Sequence, residues 1–138
     1  MTPGFHYIGR EPSLSMVQNA KSGMKLAKGK YIANIHDDDV LDARFLETLI
    51  HPMEQDEKVG LVFCDHKIID ENGVEDVAVS DQNTRGWGRE DLAEGVLTPR
   101  AKAILDHEVI PPPSGRVFRA GSIDLDEIQV RMQRPGWV

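Results

Sequence analysis

The sequence lacks the features that would make it a disulfide-built, membrane-spanning or nucleic-acid-coating protein. It has one cysteine, Cys64, so an internal disulfide cannot form. It has no run of about 18 consecutive apolar residues, which a spanning helix needs. It also lacks an excess of positive charge, since 16 Lys and Arg face 23 Asp and Glu for a formal net charge of −7. Clustered Lys and Arg are what neutralise phosphates, so broad nucleic-acid binding is not expected.

The N-terminal residues 1–11 lack the charged and apolar regions of a signal peptide. The lone cysteine lies in an apolar run, is interpreted as a packed core thiol, and suits a reducing compartment. We therefore expect a cytoplasmic location, either free or peripheral to the inner face of a membrane. With 138 residues, 40% of them hydrophobic and 28% charged, the chain is predicted to form a single globular domain over residues 1–138.

Short apolar runs alternate with helix-spaced apolar residues along the first half of the chain. The pattern predicts strand, helix, strand, helix and strand, in that order, over residues 5–9, 14–27, 31–35, 45–53 and 59–65. Near-continuous apolar strands that alternate with helices are typical of parallel sheets. The predicted fold class is therefore α/β, with a mostly parallel sheet flanked by helices.

The second half of the chain gives weaker signals. Glu71-Asn72-Gly73 is a strong turn signal and predicts a β-hairpin excursion whose second arm begins at Val74. Residues 80–90 are polar and contain glycine, and are predicted to form a mobile loop that covers a substrate. A helix broken at Pro99 is expected over residues 92–105, followed by a strand-like segment at residues 117–119.

Three adjacent carboxylates, Asp37, Asp38 and Asp39, follow the predicted strand 31–35 directly. Adjacent carboxylates repel one another unless a cation or a proton compensates. Open α/β sheets bind ligands outside the carboxyl ends of their strands, and Mg²⁺ is usually held by one or two carboxylates plus substrate phosphates. The triplet is therefore either a metal and diphosphate site or a solvated acidic turn, since charge runs usually face water.

The surroundings of the triplet resemble a known family. The matching stretches are Ala27-Lys28-Gly29-Lys30-Tyr31-Ile32, His36-Asp37-Asp38-Asp39, Val40-Leu41-Asp42, Phe45-Leu46, Val62-Phe63-Cys64-Asp65, Ile69-Asp70, Asn72-Gly73 and the segment SGRVFR from Ser114 to Arg119. Together they are similar to family-two glycosyltransferases of the Rossmann-like GT-A fold. The resemblance runs from about Phe5 to about Ile128 and is strongest between Gly23 and Gly73.

The resemblance implies transfer of a sugar from a UDP-, GDP- or dTDP-linked donor in one inverting displacement, with Mn²⁺ or Mg²⁺ on the diphosphate. It assigns Asp37 and Asp38 to the bound nucleotide sugar, and Asp38 and Asp39 to the metal. His36 stands where such sequences commonly carry an aspartate, and a packing or hydrogen-bonding role is favoured over a ligand role. Ser22 stands where the family usually has an asparagine beside the nucleotide.

By the same resemblance, the chain is expected to be a partial domain that lacks the N-terminal nucleotide-binding strands and the C-terminal region of the catalytic base. No catalytic residue is assigned. Asp124, Asp126 and Glu127 are the late acidic candidates, and an interpretation as cap and exposed helix residues is favoured over a catalytic one. Trp87, between two glycines, could stack on a sugar or hold its own loop.

The acceptor, whether saccharide, lipid or protein, is not identified by these patterns. The competing hypothesis is a non-catalytic binding or interaction module of the same fold. Sheet edges left bare by missing strands would favour self-association of either form.

Overall fold

The computed structural model describes residues 4, 6–95 and 113–125. The chain forms two compact units: Met1–Gly29 with Asp124–Val138 make up the first, and Lys30–Ile123 make up the second. The prediction of one domain over the whole chain stays a prediction. Within the described residues, no helix combines the length and the apolar character needed to cross a membrane.

Helix α1, Met16–Leu26, lies in the described part of the first unit. Ser15 begins it with a capping box: its hydroxyl accepts the backbone N–H of Gln18 at 3.4 Å, while the Gln18 side chain accepts the backbone N–H of Ser15 at 3.3 Å. The helix predicted over residues 14–27 is confirmed. The strand predicted over residues 5–9 is wrong for the described residues 6–9, which lie in no strand, because β-prone residues still need a neighbouring strand to pair with.

In its described residues, the second unit contains two α-helices and a three-stranded sheet. Its elements are β1 Tyr31–Ala33, α2 Phe45–Gln55, β2 Leu61–Phe63, α3 Val77–Gly86, a short 3₁₀ turn Pro113–Gly115, and β3 Arg116–Arg119. The strand order is β1-β3-β2, and β3 runs antiparallel to both of its neighbours.

The α/β class is confirmed, but the predicted parallel pairing is wrong for the strands that the structure describes. Since β1 and β2 are each antiparallel to β3, they run in the same direction as one another, as strands joined through a helix commonly do. Strand β3, more than 50 residues further along the chain, lies between them. Apolar patterning predicts that a segment is a strand, but not which strand will pair with it.

Helix α2 packs across one face of this sheet and makes the core. Phe45, Leu49 and Met53 of α2 cluster with Val117 of β3, and Met53 and Val117 have no exposed surface. The partly buried residues packed around them are Tyr31, Leu41, Ile50, Val59, Val62 and Cys64. Burial also raises the pKa of the Cys64 thiol, which suits a packed residue rather than a nucleophile.

Arg119 joins the end of α2 to the sheet. Its guanidinium donates to the carbonyl of Met53, to that of Asp56 at 3.2 Å and to that of Val59 at 3.1 Å, and it lies 5.3 Å from the centre of the Tyr31 ring. The last carbonyls of a helix have no partner within the helix, so a cation placed there stabilises the helix end. This contact fixes α2 against β3.

The turn predicted at residues 71–73 is confirmed. The Asp70 carboxylate accepts the backbone N–H groups of Asn72 at 2.8 Å and Val74 at 2.9 Å, and these bonds lower the pKa of Asp70. Gly73 has a φ of 77°, which glycine adopts without strain. Ile69 and Glu75 form the single bridge between the two arms, so the excursion is a short hairpin.

The second arm of that hairpin ends early, because Asp76 caps helix α3 by accepting the backbone N–H of Val79 at 3.0 Å. The loop predicted over residues 80–90 is therefore helical up to Gly86, and whether the segment moves stays a prediction. The helix was missed because it is mostly polar and buries only Ser80. The helix predicted over residues 92–105 lies largely outside the described residues, since 96–112 are not described.

Candidate functional site

The register of the sheet brings the ends of three strands to one edge. Val117 of β3 pairs with Ala33 of β1 on one side and with Val62 of β2 on the other. Three residues beyond these partners, His36 and Asp65 therefore leave the sheet at the same level. Neighbouring strands lie about 4.8 Å apart, so the ends of β1 and β2 are about 10 Å apart. Ser114 precedes β3 at this edge.

Asp38 and Asp39 form a compact group with His36 in the turn that follows β1. One potential ligand atom from each residue lies within 4.8 Å of the others, and all three residues are exposed. The backbone N–H of Asp39 donates to the carbonyl of His36 at 3.4 Å, and Nδ1 of His36 is 3.9 Å from Oδ2 of Asp39. Asp37 lies in the same turn but outside this group. The turn presents two carboxylates and an imidazole toward a common point.

Ser114 ties this turn to the start of β3. Its hydroxyl donates to Oδ2 of Asp39, and its oxygen accepts the backbone N–H of His36 at 3.0 Å. One hydroxyl thus orients both the carboxylate and the backbone of the acidic turn. Only the SGRVFR segment as a whole was noted in the sequence, because residues 39 and 114 are too distant along the chain for any local pattern to connect them.

The donor set fits a hard divalent cation. Mg²⁺ and Mn²⁺ prefer carboxylate oxygens, which Asp38 and Asp39 supply, and His36 offers one nitrogen. In an octahedral Mg²⁺ site opposite ligands are roughly 4.2 Å apart. The separations of up to 4.8 Å in this group therefore need only a small closure of an exposed turn.

A second polar cluster forms at the end of β2 around Arg89, whose side chain is only 3% exposed. Its Nε lies 3.2 Å from Oδ1 of Asp65 without a directed hydrogen bond, and its Nη2 donates to Asn83 at 2.7 Å. Its Nη1 is 3.3 Å from Nδ1 of His66. Asp65 also accepts the hydroxyl of Thr84 at 2.8 Å and the backbone N–H of His66 at 2.9 Å. Arg89 thereby pins the end of β2 to α3.

The pKa of His66 lies below its usual value. Burial is the main cause and the positive charge of Arg89 adds to it, while Asp65, Asp39 and the Asn83 amide act in the opposite direction. At neutral pH His66 is therefore an uncharged imidazole.

The lowered pKa of His66 predicts a loss of stability in weak acid. The unfolded chain takes up a proton at this residue near pH ~6.5, whereas the folded chain takes it up only at lower pH. Over that window the unfolded state binds more protons, so the free energy of unfolding falls as the pH falls below about 6.5. Urea unfolding measured from pH 7.5 to 5 should show this decline, and His66→Gln should make it shallower. An equal decline in both proteins would contradict the assignment.

The late acidic candidates stay a prediction. Asp124 belongs to the first unit, and Asp126 and Glu127 lie outside the described residues. Trp87 is half-buried at the end of α3. Sequence reasoning did not single out Arg89 or His66. The only signal for them was an arginine and a histidine in otherwise unremarkable polar segments.

The sheet edge belongs to an α/β protein, and its acidic turn carries a group of side chains that could hold a metal ion. The sequence model of the family described as Glycosyl transferase family 2 matches residues 1–115 of the 138. The chain belongs to this family, and the resemblance found in its motifs is confirmed. A search of curated proteins and a search of solved structures returned no match.

Replacing Ser114 by alanine tests the support of the acidic turn. The change leaves every carboxylate in place but removes the hydroxyl that orients Asp39 and His36. Loss of a group that holds a metal ligand typically lowers metal affinity about 10- to 100-fold. We expect such a loss for Mn²⁺ by calorimetric titration, whereas Ser122→Ala, at the other end of β3, should bind Mn²⁺ like the wild type. If Ser114→Ala binds Mn²⁺ with unchanged affinity, the acidic turn keeps its conformation without the Ser114 hydroxyl.

Proposed function

We propose that this protein transfers a sugar from a nucleotide-diphosphate donor to an acceptor hydroxyl, with inversion at the sugar carbon and with Mn²⁺ or Mg²⁺ at the acidic turn. The observation that carries the proposal is the group formed by His36, Asp38 and Asp39 at the sheet edge, in a member of glycosyl transferase family 2. Solvent exposure of the turn leaves room for a large donor.

Charge explains why the donor should need the metal. The turn carries the three carboxylates of Asp37 to Asp39, and a nucleotide sugar brings a diphosphate of the same sign. Like charges a few ångströms apart repel by about 1 kcal/mol per pair even in water, and more beside a protein surface. A divalent cation between them reverses the sign of the interaction, so donor binding without metal should be weak.

Each residue of the turn then has a proposed task. Asp38 and Asp39 hold the cation, with His36 as a third ligand, and Asp37 and Asp38 face the nucleotide. The cation, when bound, neutralises the charge that develops on the departing diphosphate. Ser114 keeps the Asp39 carboxylate in place through its hydroxyl. No residue is assigned as the general base.

The test is calorimetric titration of the full chain with UDP, GDP and dTDP and with UDP-glucose, GDP-mannose and dTDP-glucose, each with and without Mn²⁺. We expect at least one nucleotide to bind in the presence of Mn²⁺ and to bind at least tenfold more weakly without it. Folded chain that binds none of these probes would overturn the proposal and favour an interaction module. Equal nucleotide affinity with and without Mn²⁺ would contradict the proposed role of the metal but would still support a nucleotide-sugar donor.

A further inference from the structure

The acidic turn leaves the second cluster, around Arg89, unexplained. A guanidinium that is almost completely buried is costly unless its charge is paired and its donors are used. Here the charge is balanced by one carboxylate, that of Asp65, and two of the remaining donors are directed at Asn83 and His66. This arrangement fixes two side chains at the end of β2, about 10 Å from the end of β1.

Arg89 decides which nitrogen of His66 carries the proton. Guanidinium nitrogens only donate, so Nδ1 of His66, 3.3 Å from Nη1 of Arg89, must accept. In a neutral imidazole the proton then lies on Nε2. No directed hydrogen bond of Nε2 is seen among the described residues, although the Asn83 side chain acts on the ring as a hydrogen-bond partner that raises its pKa. His66 therefore offers one N–H donor and no basic nitrogen.

Asp65 supplies the matching acceptor. Its Oδ1 is engaged by the backbone N–H of His66 and by Arg89, whereas Oδ2 accepts only the hydroxyl of Thr84 among the described residues. A carboxylate oxygen can accept about two hydrogen bonds, so one position on Oδ2 is left. The side chain is 47% exposed, and its negative charge is balanced by Arg89.

We propose that Asp65 and His66, held by Arg89, bind the hydroxyl groups of a sugar at the transfer site. A neutral donor next to an acceptor matches hydroxyls, each of which donates and accepts. It does not match a phosphate, since the one cation of the cluster is buried against Asp65. The inference rests on the proposed function, and the sugar belongs either to the donor or to a saccharide acceptor. Arg89 is a positioning residue.

The first measurement determines which ring nitrogen of His66 carries the proton. Nitrogen NMR of the full chain with ¹⁵N-labelled histidine should show His66 with its proton on Nε2 at pH 7.5. Arg89→Gln should give a mixture of tautomers and raise the pKa of His66, because a repelling charge is removed. Arg85→Gln, which changes an exposed arginine in the last turn of α3, is the matched control and should change neither. A proton on Nδ1 in the wild type would overturn the positioning role of Arg89.

The second measurement separates sugar from nucleotide. With Mg²⁺ present, each nucleotide sugar is titrated beside its own nucleoside diphosphate, in wild type, His66→Phe and His66→Gln. If Asp65 and His66 bind the donor sugar, His66→Phe should lower the affinity for the nucleotide sugar about two- to tenfold. The affinity for the nucleoside diphosphate should stay unchanged. His66→Gln, which keeps an N–H donor, should recover part of the loss. His51→Phe, exposed on α2, is the control.

An acceptor sugar gives a different result. His66→Phe should then bind donors normally, and the His66 signals of the wild type should shift with methyl glucoside or methyl mannoside, but not with glycerol. If nucleoside diphosphates bind normally and His66 affects neither donor sugar nor glycoside, the inference is overturned and the proposed function is kept. If the wild type binds no nucleotide in any form, the proposed function fails and the sugar assignment fails with it.

Discussion

Asp38→Ala is expected to abolish metal-dependent donor binding while leaving the fold intact. Asp38 is exposed and contributes one of the two carboxylates in the group with His36 and Asp39. Removal of a direct ligand should lower the affinity for Mn²⁺ by more than the 10- to 100-fold typical of losing a supporting residue. Without the cation, the remaining carboxylates repel the diphosphate. Calorimetric titration with Mn²⁺ alone, and then with the nucleotide that the wild type binds, measures both effects.

Substitutions of two nearby aspartates serve as comparison variants for Asp38→Ala. Asp42→Ala removes a carboxylate four residues further along, where it accepts a backbone N–H from Arg44 at 2.8 Å and lies 4.0 Å from Nε of the same arginine, so Mn²⁺ affinity should match the wild type. Asp37→Ala should also bind Mn²⁺ normally, because Asp37 lies outside the ligand group, but should bind the nucleotide more weakly. If all three variants lose Mn²⁺ equally, the turn acts through its overall charge, and the assignment of individual ligands is wrong.

Much of the local structure could be predicted, because it depends on residues close together in the sequence. Helix α2 followed from apolar residues at helical spacing, and the turn at residues 71–73 from Asn72 and Gly73. Asp70 stabilises that turn from within the same six residues. Where capping rather than apolar spacing begins an element, as Asp76 does for α3, the pattern of apolar residues gave the wrong answer.

The pairing of the sheet could not be predicted in this way. Val117 lies between Ala33 and Val62 because the chain returns to the sheet after residue 115, and no periodicity in either segment encodes that contact. The same limit applies to the site. Three adjacent aspartates can be recognised in the sequence itself. The contacts of Ser114 with Asp39 and of Arg89 with His66 join residues that are 75 and 23 positions apart. Residues whose role depends on such contacts become visible only in the folded chain.

Met53→Ala is expected to destabilise the described core of the second unit strongly while leaving its backbone contacts intact. The side chain has no exposed surface and packs with Phe45, Leu49 and Val117 between α2 and the sheet. The carbonyl of Met53 that accepts from Arg119 is unaffected, so the cost is that of the lost packing and the cavity. Truncation of a buried methionine to alanine costs about 2–5 kcal/mol. Urea unfolding followed by circular dichroism should show the midpoint falling by roughly 1–2 M.

Two control variants, Met16→Ala and Met53→Leu, test whether the loss of stability comes from packing. Met16→Ala, on α1 and 65% exposed, should change the free energy of unfolding by less than about 0.5 kcal/mol. Met53→Leu nearly conserves volume and should cost less than about 1.5 kcal/mol. A Met53→Ala variant as stable as Met16→Ala would mean that α2 does not close the core over Val117. The sheet edge that carries Asp38 and Asp65 would then lack the rigid support that a binding site requires, since β3 sets the register of both strands.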